Sequence, residues 1–150
     1  MAEIVIEDEL QIDAPPSTVW AAIKDPVAHA AWHPFVTVIA GEHSHGASRS
    51  CSVVVGTTSG LTHERCIEEE AERRIIWLIE HDSTGFGRMV SDWRAGFRLE
   101  PAGPGTRVVA ESRFRPDGML VRLTIPIVRR KFHQTQKAIL AGLRDALLRE

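Results

Sequence analysis

The longest regular pattern of apolar and polar positions lies at the C-terminal end of the chain, over residues 124–149. Apolar side chains recur there at steps of three and four residues, which is the spacing of one face of an α-helix. The stripe consists of Ile125, Val128, Phe132, Ile139, Leu143 and Leu147, and it is interrupted only by the polar Gln136. Thr124 is a suitable N-cap and Pro126 fits only a first turn, so the helix is predicted to begin near Ile125. A helix of roughly 24 residues is about 36 Å long and needs a broad apolar surface to pack on.

A strand and two short helices are predicted at the N-terminal end. Residues 3–12 alternate between apolar and polar side chains, as in a half-buried strand, with Asp8 as a polar exception on the apolar side. Pro15 and Pro16 then favour the start of a short helix. The Asp25-Pro26 pair ends that helix and suits the cap of a second one.

From Val36 onward the pattern changes to strands separated by turns that contain glycine. The predicted strands cover residues 36–41, 48–56, 61–69, 74–81, 88–100 and 106–115. Short links between them imply, with the first strand, one seven-stranded antiparallel sheet. The last two strands have one apolar and one charged face, so the sheet is expected to curl around the long helix. The prediction is a single α+β domain over residues 1–150.

The order of these elements and several short motifs resemble the START-like helix-grip superfamily, in particular its polyketide cyclase/dehydratase (SRPBCC-type) members. The matching residues are Ile12-Asp13-Ala14-Pro15, Val19-Trp20, Asp25-Pro26, Trp32-His33-Pro34, Gly46, Arg49, Glu64 and residues 143–147. The resemblance covers nearly the whole chain and implies a sheet that wraps the terminal helix and leaves a cavity between them. It implies either carriage of a lipid-like or polyketide-like ligand or an aromatase/cyclase or dehydratase reaction, and a shared fold does not decide between them.

Four polar side chains are in phase with apolar neighbours on the predicted strands: Arg49, His63, Arg65 and His81. They are candidate catalytic residues if they face the cavity, with His63 or His81 as general base and Arg49 or Arg65 stabilising an enolate oxygen. The alternative is that a β-bulge reverses the phase, or that these residues lie at a solvated rim. The predicted ligand-binding walls of the pocket are Trp32, Phe35, Trp77, Trp93, Phe132 and Ile139.

Two further groups of residues have chemistry to be weighed. Four histidines, His29, His33, His43 and His45, suggest a metal site, but the break at Pro34 and the lack of a nearby cysteine or inward carboxylate favour solvated loop histidines. Cys51 is interpreted as a packed thiol. Neither a metal nor a cofactor is predicted.

The apolar residues on either side of Pro126 allow two interpretations. They are Met119, Leu120, Leu123, Ile125 and Ile127. Ordinary core is the preferred one, and a movable gate over the mouth of the cavity is the alternative.

Composition and charge narrow the function. The net charge of -2 and the pI near 6.4 give no general attraction to nucleic acid. The two cysteines do not make a disulfide framework, and neither a signal segment nor an apolar run of membrane-spanning length is visible, so a cytoplasmic protein without stable membrane insertion is expected. The absence of tyrosine weakens the enzyme hypothesis. We therefore expect a carrier or sensor of a small hydrophobic or aromatic ligand, with a homodimer as an open alternative to a monomer.

Overall fold

The structure, a computed structural model, describes residues 2–149 and consists of a seven-stranded antiparallel sheet and four α-helices. The strands are β1 (Ile4–Ile12), β2 (Val36–Gly41), β3 (Ser48–Val55), β4 (Thr58–Glu70), β5 (Arg74–Asp82), β6 (Val90–Ala102) and β7 (Gly105–Pro116). The helices are α1 (Pro16–Lys24), α2 (Pro26–Trp32), α3 (Met119–Leu123) and α4 (Ile125–Leu148). The order across the sheet is β1-β7-β6-β5-β4-β3-β2, so β1 and β2 form its edges.

The predicted order of strands and helices is confirmed, and the local signals act mostly as expected. Pro26 occupies the first turn of α2, and the Asp25 side chain caps that helix by accepting a hydrogen bond from the Val27 N–H. Thr124 stands at the N-cap position of α4. Its hydroxyl, however, donates to the Val121 carbonyl instead of capping the helix. The additional helix α3 was not predicted.

The apolar stripe of α4 is its buried face, and it rests mainly on β1 with further contacts to β7, α2 and α3. Leu140 and Leu143 join a large apolar cluster that also contains α1 and the middle of the sheet. Nearer its N-terminal end, Val128 and Phe132 pack on a second cluster around Phe114. α4 is therefore seated over the β1 side of the sheet rather than over its centre.

A buried polar group lies between the two apolar clusters and ties α4 to β1 and β7. The Gln136 amide donates to Asp8 Oδ2 at 2.8 Å, and the Ser112 hydroxyl donates to Gln136 Oε1 at 2.7 Å. His133 Nδ1 lies 2.8 Å from the same Asp8 oxygen. Asp8 and Gln136, the two polar exceptions in otherwise apolar patterns, thus contact each other. Because buried polar groups need partners, this contact fixes the position of α4 along β1.

The segment around Pro126 is not ordinary core. Met119, Leu120, Leu123 and Ile127 are 69%, 81%, 72% and 61% exposed. A helix of 3.6 residues per turn that turns Ile125 and Val128 inward directs Ile127 outward, and α3 follows Gly118, where the left-handed φ of 93° turns the chain beyond the end of β7. Within residues 2–149 no helix is long and apolar enough to cross a bilayer.

The polar contact under α4 gives the first prediction. Asp8→Ala leaves the buried Gln136 amide with only its longer, 3.4 Å hydrogen bond to the Ile6 carbonyl, so the free energy of unfolding should fall by about 1–3 kcal/mol. Urea denaturation of the variant measures this loss. Glu9→Ala is the matched control, since it removes an exposed carboxylate on the same strand and should cost at most about 0.5 kcal/mol. Equal stability of the two variants would show that the contact does not hold the helix.

Candidate functional site

The concave face of the sheet, which faces α4, is defined by cross-strand register. Arg49 of β3 is aligned with Glu64 of β4, and Glu64 with Ile79 of β5. Further along, Cys66 is aligned with Trp77. Residues paired across antiparallel strands project on the same side of a sheet. These side chains therefore lie together on the concave face and form its floor.

A buried ion pair occupies this floor. Arg49 Nε and Nη2 both donate to Glu64 Oε1, at 3.0 and 2.7 Å, and the Thr62 hydroxyl donates to Glu64 Oε2 at 2.7 Å. The guanidinium carbon of Arg49 lies 3.7 Å from the centre of the Trp77 ring, which adds a cation–π contact. Arg49 and Glu64 are each only 9% exposed. The charge of the arginine is thus neutralised inside the fold.

His43 extends this hydrogen-bonded group. Arg49 Nη1 donates to His43 Nε2 at 2.8 Å, and His43 Nδ1 donates to the Ile23 carbonyl at 3.0 Å. Burial and the neighbouring Arg49 charge lower the pKa of His43 to about 4. His29 Nδ1 donates to the same Ile23 carbonyl at 3.1 Å, and burial, followed by the charge of Arg49, holds the pKa of His29 well below its usual value. Both rings are therefore neutral at pH 7.

His33 is a backbone cap rather than a free base. Its Nδ1 accepts hydrogen bonds from the N–H groups of Phe35 and Val36, each at 3.1 Å. Burial and then the charge of Arg49 lower the pKa of His33 to about 3. The interpretation as solvated loop histidines is therefore wrong for His29, His33 and His43, which α2 and the β2–β3 connection fold into the interior. Among residues 2–149, no group of three or more His, Cys, Asp or Glu side chains is placed to hold a metal ion.

Half-buried apolar side chains line the rest of the concave face. By their register Ile39, Val53 and Ile79 project from β2, β3 and β5 toward the interior, and all three remain partly exposed. α4 rests on the β1 side of the sheet, away from these strands. The space between α4 and strands β2 to β5 is consequently not closed by a fully buried layer.

The structure locates each predicted wall residue. Trp32 and Trp77 are buried in the large cluster, and Ile139 packs against it. Trp93 and Phe132 belong to the second cluster, where their ring centres are 6.3 Å apart. Phe35, half-buried, makes an edge contact with His33, with ring centres 6.1 Å apart.

Two indole N–H groups on this face lack an acceptor within the described chain. Trp77 Nε1 and Trp93 Nε1 are shielded from solvent and have no hydrogen-bond partner in the described part of the chain. Trp32 Nε1, by contrast, donates to the Ala22 carbonyl at 2.9 Å. A buried donor without an acceptor costs about 1–3 kcal/mol, so these two groups are the polar positions on the concave face still open to an acceptor.

Three of the predicted catalytic residues lie on the opposite, convex face. His63, Arg65 and His81 are exposed, and the predicted direction of their side chains is wrong. The Ser50 hydroxyl is 2.9 Å from His63 Nδ1, and the His63 and His81 ring centres are 6.2 Å apart. Ser50, His63 and His81, but not Arg65, border an open cavity of about 280 Å³ whose lining also includes Arg49 and Glu64. Only Arg49 of the predicted polar patch faces the interior.

The error has a physical cause on each strand. On β4 the apolar Leu61 was taken to mark the inward face, but it is 48% exposed and the inward positions are Thr62, Glu64 and Cys66. On β5 the register shifts by one residue where His63 pairs with His81 and Glu64 with Ile79, which reverses the alternation. Glu64 was not predicted as a site residue. The signal was present, since a buried Arg49 requires an anion from a neighbouring strand.

Comparison with known proteins identifies the family of the chain. The family model described as polyketide cyclase / dehydrase and lipid transport matches residues 3–147. The sequence comparison with curated proteins finds no match.

Solved structures similar to this chain share its fold. TTHA0849 from Thermus thermophilus has a TM-score of 0.77 at 19% identity and covers 97% of both chains. The Zhui aromatase/cyclase from Streptomyces sp. R1128 has a TM-score of 0.76 at 17% identity, over 99% of this chain and 96% of the other. A START superfamily protein from Mycobacterium smegmatis has a TM-score of 0.75 at 13% identity, over 94% of each chain. The predicted START-like helix-grip fold is confirmed, and the chain belongs to the polyketide cyclase / dehydrase and lipid transport family.

Proposed function

We propose that the chain binds a small, uncharged, hydrophobic or aromatic ligand between α4 and the concave face of the sheet, and carries or senses it without changing its bonds. The observation that supports this most is the neutralised interior. Arg49 has its Nε, Nη1 and Nη2 groups engaged by Glu64 and His43. A ligand carboxylate would have to displace Glu64 and leave that buried charge unpaired, which is strongly unfavourable.

The aromatic surface defines what such a ligand contacts. Trp93 and Phe132 offer ring surface, and the half-buried Ile79 and Ile139 offer aliphatic surface, whereas the buried Trp77 ring is already covered on one face by Arg49. The indole N–H groups of Trp77 and Trp93 supply donors for a carbonyl or hydroxyl oxygen. Because neither nitrogen is in contact with solvent, an acceptor reaches it only when the neighbouring rings move apart. Binding is therefore accompanied by rearrangement of the ring cluster.

The interior histidines are poor general bases, which argues for binding over catalysis. A general base works best with a pKa near the working pH, whereas the pKa of His43 is about 4 and that of His33 about 3. Both ring nitrogens of His43 are also engaged in hydrogen bonds. A cyclase or dehydratase remains the alternative because the family description names those activities. In that case the acid and base would have to come from groups other than the exposed His63 and His81.

Fluorescence titration with 6-propionyl-2-(dimethylamino)naphthalene tests the binding site. This probe is neutral and aromatic and carries one carbonyl acceptor. Phe132→Ala removes a ring from the proposed wall, so the affinity should fall by about tenfold or more. Trp93→Phe keeps the ring but removes the N–H and should weaken binding by about threefold to tenfold.

The matched control is the double variant His63→Ala/His81→Ala, which changes only the convex face and should bind the probe within about twofold of the unmodified chain. Denaturation curves for each variant separate loss of the site from loss of the fold. Weaker binding in the histidine variant, with Phe132→Ala unaffected, would move the site to the convex face and contradict the proposal.

The neutral state of His43 gives a pH prediction. Its pKa is lowered from 6.5 to about 4 in the folded chain. Between pH 4 and pH 6.5 the unfolded chain therefore binds a proton at His43 that the folded chain does not bind. Above about pH 6.5 the neutral His43 makes its full contribution to the free energy of unfolding. This contribution is lost as the pH falls toward 4, and the total loss is about 3 kcal/mol. Denaturation between pH 7.5 and pH 4 should therefore show a shallower pH dependence for His43→Gln. His45→Gln, in the same connection but exposed, is the control and should follow the unmodified chain. A His43→Gln curve parallel to the unmodified one would contradict the assignment of a neutral His43.

A further inference from the structure

An exposed apolar patch on α3 and the first turn of α4 has no role in the interior. It consists of Met119, Leu120, Leu123 and Ile127, each more than 60% exposed. Isolated exposed apolar residues are normal, but four large ones within nine residues are the kind of cluster that marks an interaction site. Covering these side chains with another surface would be strongly favourable, because it would remove their apolar area from water.

The stretch of chain that carries the patch is basic. Residues 115–131 contain five basic side chains, Arg115, Arg122, Arg129, Arg130 and Lys131, and one acidic side chain, Asp117. The segment therefore carries 5 − 1 = +4, whereas the whole chain carries -2, which leaves -6 on the remainder. The exposed apolar residues therefore lie within a positively charged stretch of the chain.

The helix geometry places both features on one side. Arg130 and Lys131 follow Ile127 by three and four residues, so the three side chains share a face of α4, and all three are exposed. The opposite face of the same turns carries Val128 and Phe132, which pack inward on the second apolar cluster. The outer patch and the aromatic interior are therefore separated by the thickness of one helix.

We propose that this patch, Met119, Leu120, Leu123 and Ile127 with its basic border, docks the protein on the surface of an anionic lipid bilayer. Apolar side chains flanked by Lys and Arg are suited to the boundary between headgroups and acyl chains. A second copy of this chain fits less well, because a symmetric contact would bring the two basic borders together. The proposal that the protein docks on a bilayer depends on the patch alone. The idea that docking serves to load the interior with a hydrophobic ligand rests on the proposed function.

Vesicle flotation with the full chain tests the docking. Vesicles of phosphatidylcholine with about 30% phosphatidylglycerol should carry the protein, pure phosphatidylcholine vesicles should carry much less, and raising the salt concentration should weaken binding. Leu120→Ser/Leu123→Ser should reduce the partition coefficient for anionic vesicles by about tenfold or more. The control is Leu148→Ser, a leucine that is also mostly exposed and lies about 30 Å away at the other end of α4, which should leave binding unchanged.

Each result decides the proposal. Selective loss in the α3 variant supports docking. Absence of binding to anionic vesicles, or equal binding of both variants, overturns it. Sedimentation analysis tests the other occupant. If the unmodified chain forms a dimer, Leu120→Ser/Leu123→Ser does not, and no vesicle binding is seen, docking is overturned and the patch is assigned to a second copy. Titration with the naphthalene probe should be the same for the α3 variant and the unmodified chain, so failure of docking is distinguishable from failure of the ligand site.

Discussion

The buried pair of Arg49 and Glu64 is the interaction on which the interior depends. Two opposite charges on adjacent strands face the inside of the sheet, and neither is tolerable there alone, since breaking such a pair costs about 3–5 kcal/mol. The pair is satisfied by Thr62, by His43 and by the ring of Trp77. It therefore gives the interior polar groups without a net charge. That property is the basis of the proposed preference for an uncharged ligand.

The same charge acts on its neighbours. Burial, and after it the positive guanidinium of Arg49, lowers the pKa of His29, His33 and His43, so the interior histidines serve as neutral hydrogen-bonding groups. The polar contact of Asp8 with Gln136 plays a mechanical part beside it, because it holds α4 on β1 and away from β2 to β5. As a result, α4 does not cover the apolar inner surface of those strands, which stays half-buried.

The sequence predicted the fold well because each element has a strong local signal. The apolar stripe of α4, the alternation in β1 and the proline and aspartate signals around α2 do not depend on distant contacts. Asp8 and Gln136 were visible as exceptions in these patterns, but their mutual contact follows only from the packing of α4 on β1.

The site was predicted less well because strand phase is fragile. Leu61 is an apolar residue on the convex face, and the shifted register at Ile79 reverses the alternation before His81, so His63 and His81 were assigned to the wrong side. The role of Glu64 as the partner of Arg49 depends on cross-strand register, which alternation within one strand does not reveal. The inward direction of Trp77 and Trp93 was easier to predict, since large aromatic side chains in mostly apolar strands turn inward whatever their exact neighbours, but a ligand-binding role for the predicted wall stays a prediction.

Indole N–H signals in a ¹H–¹⁵N spectrum test most directly whether a neutral ligand enters the concave face. The chain has four tryptophans, and each contributes one such signal. Addition of the carbonyl-bearing naphthalene probe should shift the Trp77 and Trp93 signals, whose N–H groups are unpartnered in the described chain, and leave the Trp32 signal, already bonded to the Ala22 carbonyl, nearly in place. Saturable binding that moves neither Trp77 nor Trp93, or no binding at all, would contradict a ligand site between α4 and the sheet.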